Sequence, residues 1–255
     1  MTVGVRSVAW TLLALLVLVC VETLPPRRPK PLRPAPVANG AAAAEPAPPR
    51  AWPVQPDPSS AAFEGEIRAF EAEDQKSPPT RQATLFVGSS SFRLWSSMAN
   101  DFAPHAVKNR GFGGACIRNV VDFARRIVLP SAPERIVFFA GSNDIHAGAP
   151  APSVLADFRA FVAGVHEMLS KTRIAFVSVT TSPSRFAEVE TVREANRLVR
   201  DYVATDPLLT FIDVFPLTLD ASGRPRQELY IGDGLHPSAA GYALWVPRIE
   251  PFLKD

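Results

Sequence analysis

Cysteine is nearly absent from this sequence: two among 255 residues, with no C-x-x-C or Cys/His pairing. A disulfide-rich scaffold and a zinc finger are therefore excluded. Histidine is also scarce, with only His105, His146, His166 and His236, so imidazole chemistry has few candidates. Neither sign of charge dominates. A formal net charge of +2 is too small to suggest a nucleic-acid partner. The basic excess is N-terminal: residues 1–60 hold six Lys/Arg against three Asp/Glu, leaving 21 against 22 for the remainder. At 47% hydrophobic and 20% charged, the chain is not wholly disordered, and its length allows a full core in one or two domains.

The longest apolar run falls slightly short of a comfortable membrane span. From Val8 to Leu24 the chain reads VAWTLLALLVLVCVETL, preceded by Arg6, with Glu22 as its only charge. That is slightly short for a membrane span of about 20 residues. It reads as an export signal or signal anchor over residues 1–24, without a good small-x-small cleavage site behind it. Arg27, Arg28, Lys30 and Arg33 follow and outnumber the positive charges before it, which by the positive-inside rule alone would hold the body in the cytoplasm. The short Arg-led apolar start favours export, with the body periplasmic or extracellular and the apolar segment as a membrane tether. Residues 25–58 carry 12 of the 26 prolines and an Ala41–Ala44 patch. Such a stretch buries too little apolar surface to offset its ordering entropy, and reads as an extended linker over residues 25–60.

From residue 61 the texture changes. Ser60 is placed to cap a helix over residues 61–74, with Phe63, Ile67 and Phe70 on one face. Short β-branched and aromatic runs follow at 83–87, 106–108, 135–140, 173–179 and 208–214, several ending in glycine or turn residues. Helical periodicity falls between them at 116–128, 152–169 and 186–203. A last helix starts at Ser238, and Pro247 should kink or end it. The alternation predicts one α/β domain over 61–255: a five-stranded parallel sheet in a three-layer α/β/α arrangement with right-handed crossovers. Chemistry in such sheets gathers at the carboxyl ends of the strands.

Four polar clusters lie there. Gly88-Ser89-Ser90-Ser91-Phe92 follows the first strand and places a serine on a tight turn, where it could equally be a helix cap. The α/β-hydrolase elbow G-x-S-x-G does not fit, since Phe92 stands at its last glycine. Asn109-Arg110-Gly111-Phe112-Gly113-Gly114 reads as a glycine-rich loop that brings backbone N–H groups close to a ligand, or as a plain turn. In Gly141-Ser142-Asn143-Asp144, Asn143 could donate to an oxyanion, although Asn and Asp are also common turn formers. In Asp233-Gly234-Leu235-His236, the carboxylate can accept from Nδ1 and leave Nε2 free as a base; alone, such a pair is as often an ordinary local contact.

Taken in order, LFVGSSSFRLW (85–95), NRGFGGACIRNV (109–120), FFAGSNDI (138–145) and DGLHPSAAGY (233–242) resemble the blocks of the SGNH/GDSL hydrolase family across residues 80–250. The resemblance implies a flavodoxin-like α/β/α fold and ester hydrolysis through an acyl-serine, without metal or organic cofactor. It maps the nucleophile onto Ser90, the base onto His236, and the residue that orients the base onto Asp233. The oxyanion hole falls on the backbone N–H groups of Ser90 and Gly114 and on the Asn143 amide. The family's Gly-Asp-Ser has Ser89 in the Asp place, where a serine would hold the turn more weakly. Arg110 and His146 are candidate substrate contacts. The expected substrate is a small-acyl ester, with a carbohydrate O-acetyl group favoured over long-chain lipid. The competing readings are a lysophospholipase or lipase, an O-acyltransferase using the same three residues, and a non-catalytic glycan-binding module.

Overall fold

A computed structural model describes residues 56–254, apart from 79, 81 and 82; the apolar segment and most of the linker lie outside the described residues. Five strands are separated by helices in strict alternation: β1 (Thr84–Gly88), β2 (Val107–Gly111), β3 (Arg135–Phe139), β4 (Arg173–Val177) and β5 (Leu209–Ile212). All pairs are parallel, in the order β2-β1-β3-β4-β5. The helices are α1 (Glu64–Lys76), α2 (Ser90–Arg93), α3 (Met98–Asp101), α4 (Ile117–Ile127), α5 (Ser142–His146), α6 (Ala151–Met168), α7 (Val189–Val203) and α8 (Ala239–Lys254).

The period of two along each strand divides the core. Leu85, Val87, Ile136, Phe138, Ile174 and Phe176 pack against α1, α4, α6 and α7. The alternate positions Phe86, Val137, Phe139, Ala175 and Val177 pack with Phe92, Met98 and the apolar face of α8. A sheet buried on both faces is why these strands read as continuous apolar runs. Strand order reverses between β1 and β3, and the chain leaving β1 carries Ser90 into the crevice that opens there.

Three expectations need correction. Ser60 does not cap α1. It is fully buried, its Oγ donates to Asp122 Oδ2 at 2.7 Å, and it accepts from Asn119 Nδ2 at 2.9 Å. Helix α1 instead starts at Glu64, after a 3-10 turn over Pro58–Phe63. Strand β2 runs on to Gly111, so Asn109 and Arg110 sit within the strand rather than in a loop. An edge strand tolerates such polar residues when their side chains find partners, and both do.

Pro247 and Pro251 both lie inside α8 without ending it. Each removes one helical bond, at about 3 kcal/mol. The carbonyls so freed, on Ala243 and Pro247, belong to exposed residues that water reaches. On the other face Trp245, Ile249, Phe252 and Leu253 are buried, each worth about 1.5–3 kcal/mol. Burial outweighs the missing bonds.

The Ser60 link gives the first test. Ser60→Ala should lower unfolding free energy by about 1–3 kcal/mol, because Asp122 loses a buried donor. Urea titration of the two proteins measures this. Identical midpoints would mean that the contact with α4 is idle.

Candidate active site

Gly88 closes β1 with φ +155°, and a Cβ there would lie 1.9 Å from the Phe139 carbonyl oxygen, so only glycine fits. The Ser89 N–H donates to that same oxygen at 2.9 Å. This close approach of β1 and β3 turns the chain sharply and sets Ser90 at the first position of α2. Ser89, in the place of the family's aspartate, makes no side-chain cap bond at this turn. The anchor comes from β2 instead: Asn109 Nδ2 donates to the Phe92 carbonyl at 2.6 Å, while its Oδ1 accepts from Gly111 N–H at 2.9 Å. Beneath α2, Phe92 and Trp95 are buried core residues, and Tyr242 of α8 donates its hydroxyl to the Ser91 carbonyl at 2.7 Å.

The loop before α8 brings in the histidine. Ile231 N–H donates to the His236 carbonyl at 2.9 Å, Ser238 N–H to that of Leu229 at 2.8 Å, and the Tyr230 hydroxyl to that of Thr181 at 2.6 Å. Within it Asp233 forms a tight turn: Oδ1 accepts from the N–H groups of Leu235 (2.8 Å) and His236 (3.0 Å). Oδ2 lies 2.6 Å from His236 Nδ1. Desolvation raises the Asp233 pKa, but the bonds from the His236 ring and from the two backbone N–H groups outweigh it and hold the carboxyl at about 2. An ionised carboxylate only accepts, so the proton sits on Nδ1 and Nε2 is left as an acceptor. His236 Nε2 stands 2.9 Å from Ser90 Oγ. A serine aligned to give its proton to an oriented imidazole is the arrangement required for nucleophilic attack on a carbonyl.

Asn143 stands in the same crevice. Its Nδ2 donates to the Ala115 carbonyl at 3.0 Å, which ties it to the loop that carries Gly114. Gly114 has φ +76°, in the left-handed region, and is exposed beside the crevice-lining residues rather than among them. Next to Asn143, Asp144 is buried and accepts the Ile117 N–H at 3.0 and 3.2 Å, closing the N-terminus of α4. Burial pushes its pKa up to about 6. Cys116 is half-buried beside it; desolvation together with Asp144 and Asp157 pushes its thiol up to about 12, which leaves it inert.

The two expected substrate contacts are placed elsewhere. Arg110 is 1% exposed, stacked over Phe70 and paired with Glu73 and Asp74 of α1. It clamps α1 to the sheet edge and does not line the crevice, because two carboxylates and a ring hold it inward. His146 is exposed and bonded to Glu188 at 2.6 Å, also outside the lining of the crevice. Sequence reading missed Arg185. It lines the crevice and donates from Nη1 to Ser142 Oγ at 2.9 Å and to Asn143 Oδ1 at 3.0 Å. The signal was the turn Ser182-Pro183-Ser184-Arg185 soon after β4, at the same sheet edge as the other clusters. Among the described residues no three His, Cys, Asp or Glu side chains gather to hold a metal ion, and no helix is long and apolar enough to cross a membrane.

The sequence profile of the GDSL-like Lipase/Acylhydrolase family matches residues 82–244. The chain belongs to this family. No curated protein sequence matches it. A candidate acylhydrolase from Bacteroides fragilis superposes with a TM-score of 0.66 at 18% identity, over 73% of this chain and 95% of its own. A GDSL-like lipase from Bacteroides thetaiotaomicron gives 0.64 at 17%, over 74% and 97%. An acetyl esterase crystallised with acetate gives 0.51 at 15%, over 68% and 96%. At such identities the likeness is one of fold: this GDSL-like acylhydrolase shares its five-stranded α/β architecture with them. Ester hydrolysis comes with the family.

Asp144 supplies a test of the site's electrostatics. Since its folded pKa of about 6 exceeds the ordinary 3.8, the folded acylhydrolase keeps a proton that the unfolded chain has released between those values. Its contribution to stability therefore falls as pH rises from about 4 to about 6, by on the order of 3 kcal/mol, and stays lost above that. Asp144→Asn should flatten this part of the Tm–pH curve. A variant curve parallel to the wild type would show that Asp144 does not titrate there.

Proposed function

We propose that this acylhydrolase cleaves esters of short acyl groups through an acyl-Ser90 intermediate. The observation that carries the reading is the 2.9 Å contact of Ser90 Oγ with His236 Nε2, whose ring is oriented by Asp233. Serine is a weak nucleophile at its own pKa and needs this base. His236 takes the Ser90 proton as Oγ bonds to the carbonyl carbon. The carbonyl electron pair moves onto oxygen, which meets the backbone N–H groups of Ser90 and Gly114 and the Asn143 amide. When that pair returns, the C–O bond to the alcohol breaks and the alcohol leaves with the proton from His236. Water repeats the sequence: it gives its proton to His236 as it bonds to the acyl carbon, and the acid leaves when the C–Oγ bond breaks and Ser90 takes the proton back from His236. Each oxyanion donor lowers the barrier by roughly 3–4 kcal/mol.

The preference for short acyl groups rests on the crevice. It is narrow, with about 20 Å³ of free volume, far below the range of sites that enclose a drug-sized ligand. Its walls are largely serine, threonine, asparagine, arginine and histidine; only Phe139 and Leu235 are apolar. A long acyl chain would find little apolar wall to leave water for. A hydroxyl-rich alcohol finds many partners, which favours an O-acetyl group on a carbohydrate. The apolar segment at residues 8–24 and the proline-rich stretch behind it favour an exported, tethered body that meets glycan outside the cytoplasm.

Ser90→Ala should reduce turnover of p-nitrophenyl acetate at least ~10³-fold with an unchanged far-UV CD spectrum. Across p-nitrophenyl esters, kcat/KM should fall at least ~10-fold from acetate to octanoate, since each added methylene lacks an apolar partner. Full activity in the alanine variant would remove the nucleophile, and a preference for octanoate would remove the short-acyl assignment.

A further inference from the structure

Arg185 presents a charge problem. It is half-buried on the crevice wall, and among the described residues no carboxylate lies within ion-pair distance of it. Most other arginines turned toward the body are neutralised: Arg110 by Glu73 and Asp74, Arg126 by Glu64 and Glu71. Glu188 is the carboxylate whose field reaches Arg185, from beyond ion-pair distance, and its Oε1 lies 2.6 Å from His146 Nδ1. Desolvation pulls the Arg185 pKa below the ordinary arginine value, a sign of a cation held where its charge is not fully compensated. The segment that carries it leaves helical geometry at this one residue, with φ −125° and ψ 22°. Arg185 N–H donates to the Ser182 carbonyl at 3.0 Å, so the backbone is fixed while the guanidinium reaches across to α5.

What it reaches is Asn143. A guanidinium can only donate, so the amide oxygen must face Arg185 and the amide nitrogen must face the other way. One hydrogen of Nδ2 goes to the Ala115 carbonyl. The second is then directed by the same two contacts. A cation at Oδ1 also withdraws density from the amide and strengthens its N–H groups as donors. We propose that Arg185 is the positioning residue of the oxyanion site: it fixes the orientation of Asn143 and lends it charge, and its missing counter-ion is the negative oxygen formed only during acyl transfer. This role rests on the acyl-Ser90 reading and deepens it. It accounts for an uncompensated cation through differential stabilisation, since the charge is met in the transition state and not in the resting enzyme.

A double-mutant cycle on the full chain with p-nitrophenyl acetate tests it. Arg185→Met should lower kcat about 30-fold with KM changed less than about threefold, the pattern of an interaction made in the transition state. Arg185→Lys, which keeps charge but not the planar fork, should fall between. In an Asn143→Ala background, Arg185→Met should cost no more than about threefold, because its route to the oxyanion is gone. A loss that stays near 30-fold there, or one that appears in KM alone, overturns the proposal. If the Met variant melts well below wild type, the Lys variant carries the same cycle. Should Asn143→Ala leave kcat intact while Ser90→Ala abolishes turnover, the oxyanion role fails and the nucleophile stands; an active Ser90→Ala enzyme would instead sink the acyl-serine reading itself.

Discussion

One hydrogen bond joins two residues 146 positions apart, Ser90 and His236, and much of the fold can be read as the means of holding it at 2.9 Å. On the serine side, the constraint is the approach of β1 to β3 at Gly88, where the backbone leaves no room for a side chain. On the histidine side, it is a loop tied to itself at both ends and to the chain after β4 through Tyr230. Bridging the two, Tyr242 of α8 holds the Ser91 carbonyl, so the helix that follows the histidine also supports the turn that presents the serine. The prolines inside α8 are tolerated because this buried face cannot be given up.

Two arginines show how partners separate structure from chemistry. Arg110 is nearly inaccessible and meets two carboxylates and a phenyl ring; its charge is spent on fastening α1 to β2. Arg185 is half-exposed to the crevice and meets only neutral oxygens. A compensated cation stabilises a fold. A cation left with hydroxyl and amide partners keeps its field for whatever negative charge arrives.

The sheet was legible from its sequence because its physics is local: short apolar runs, several stopped by glycine, with helical periodicity between them. Strand β2 was legible only at its start, since Asn109 and Arg110 read as loop residues until their partners on α1 and α2 are known. Ser60 read as a cap for the same reason: its acceptor, Asp122, is 62 residues away. The Asp233-x-x-His236 turn was readable because both groups lie within one turn. The part played by Arg185 was not, because it depends on two loops meeting beyond the ends of β3 and β4. The polar loops after the first three strands were read as site candidates; the serine-rich turn soon after the fourth belonged with them.

The central claim is that Ser90, and neither of the serines on either side, becomes a nucleophile through His236. Treating the protein with an alkylphosphonate ester that traps active serines, followed by peptide mass spectrometry, reads this directly. The account predicts a single adduct on Ser90 that is lost when His236 is changed to alanine. An adduct on Ser89 or Ser91, or labelling of Ser90 at an undiminished rate without the imidazole, would contradict it.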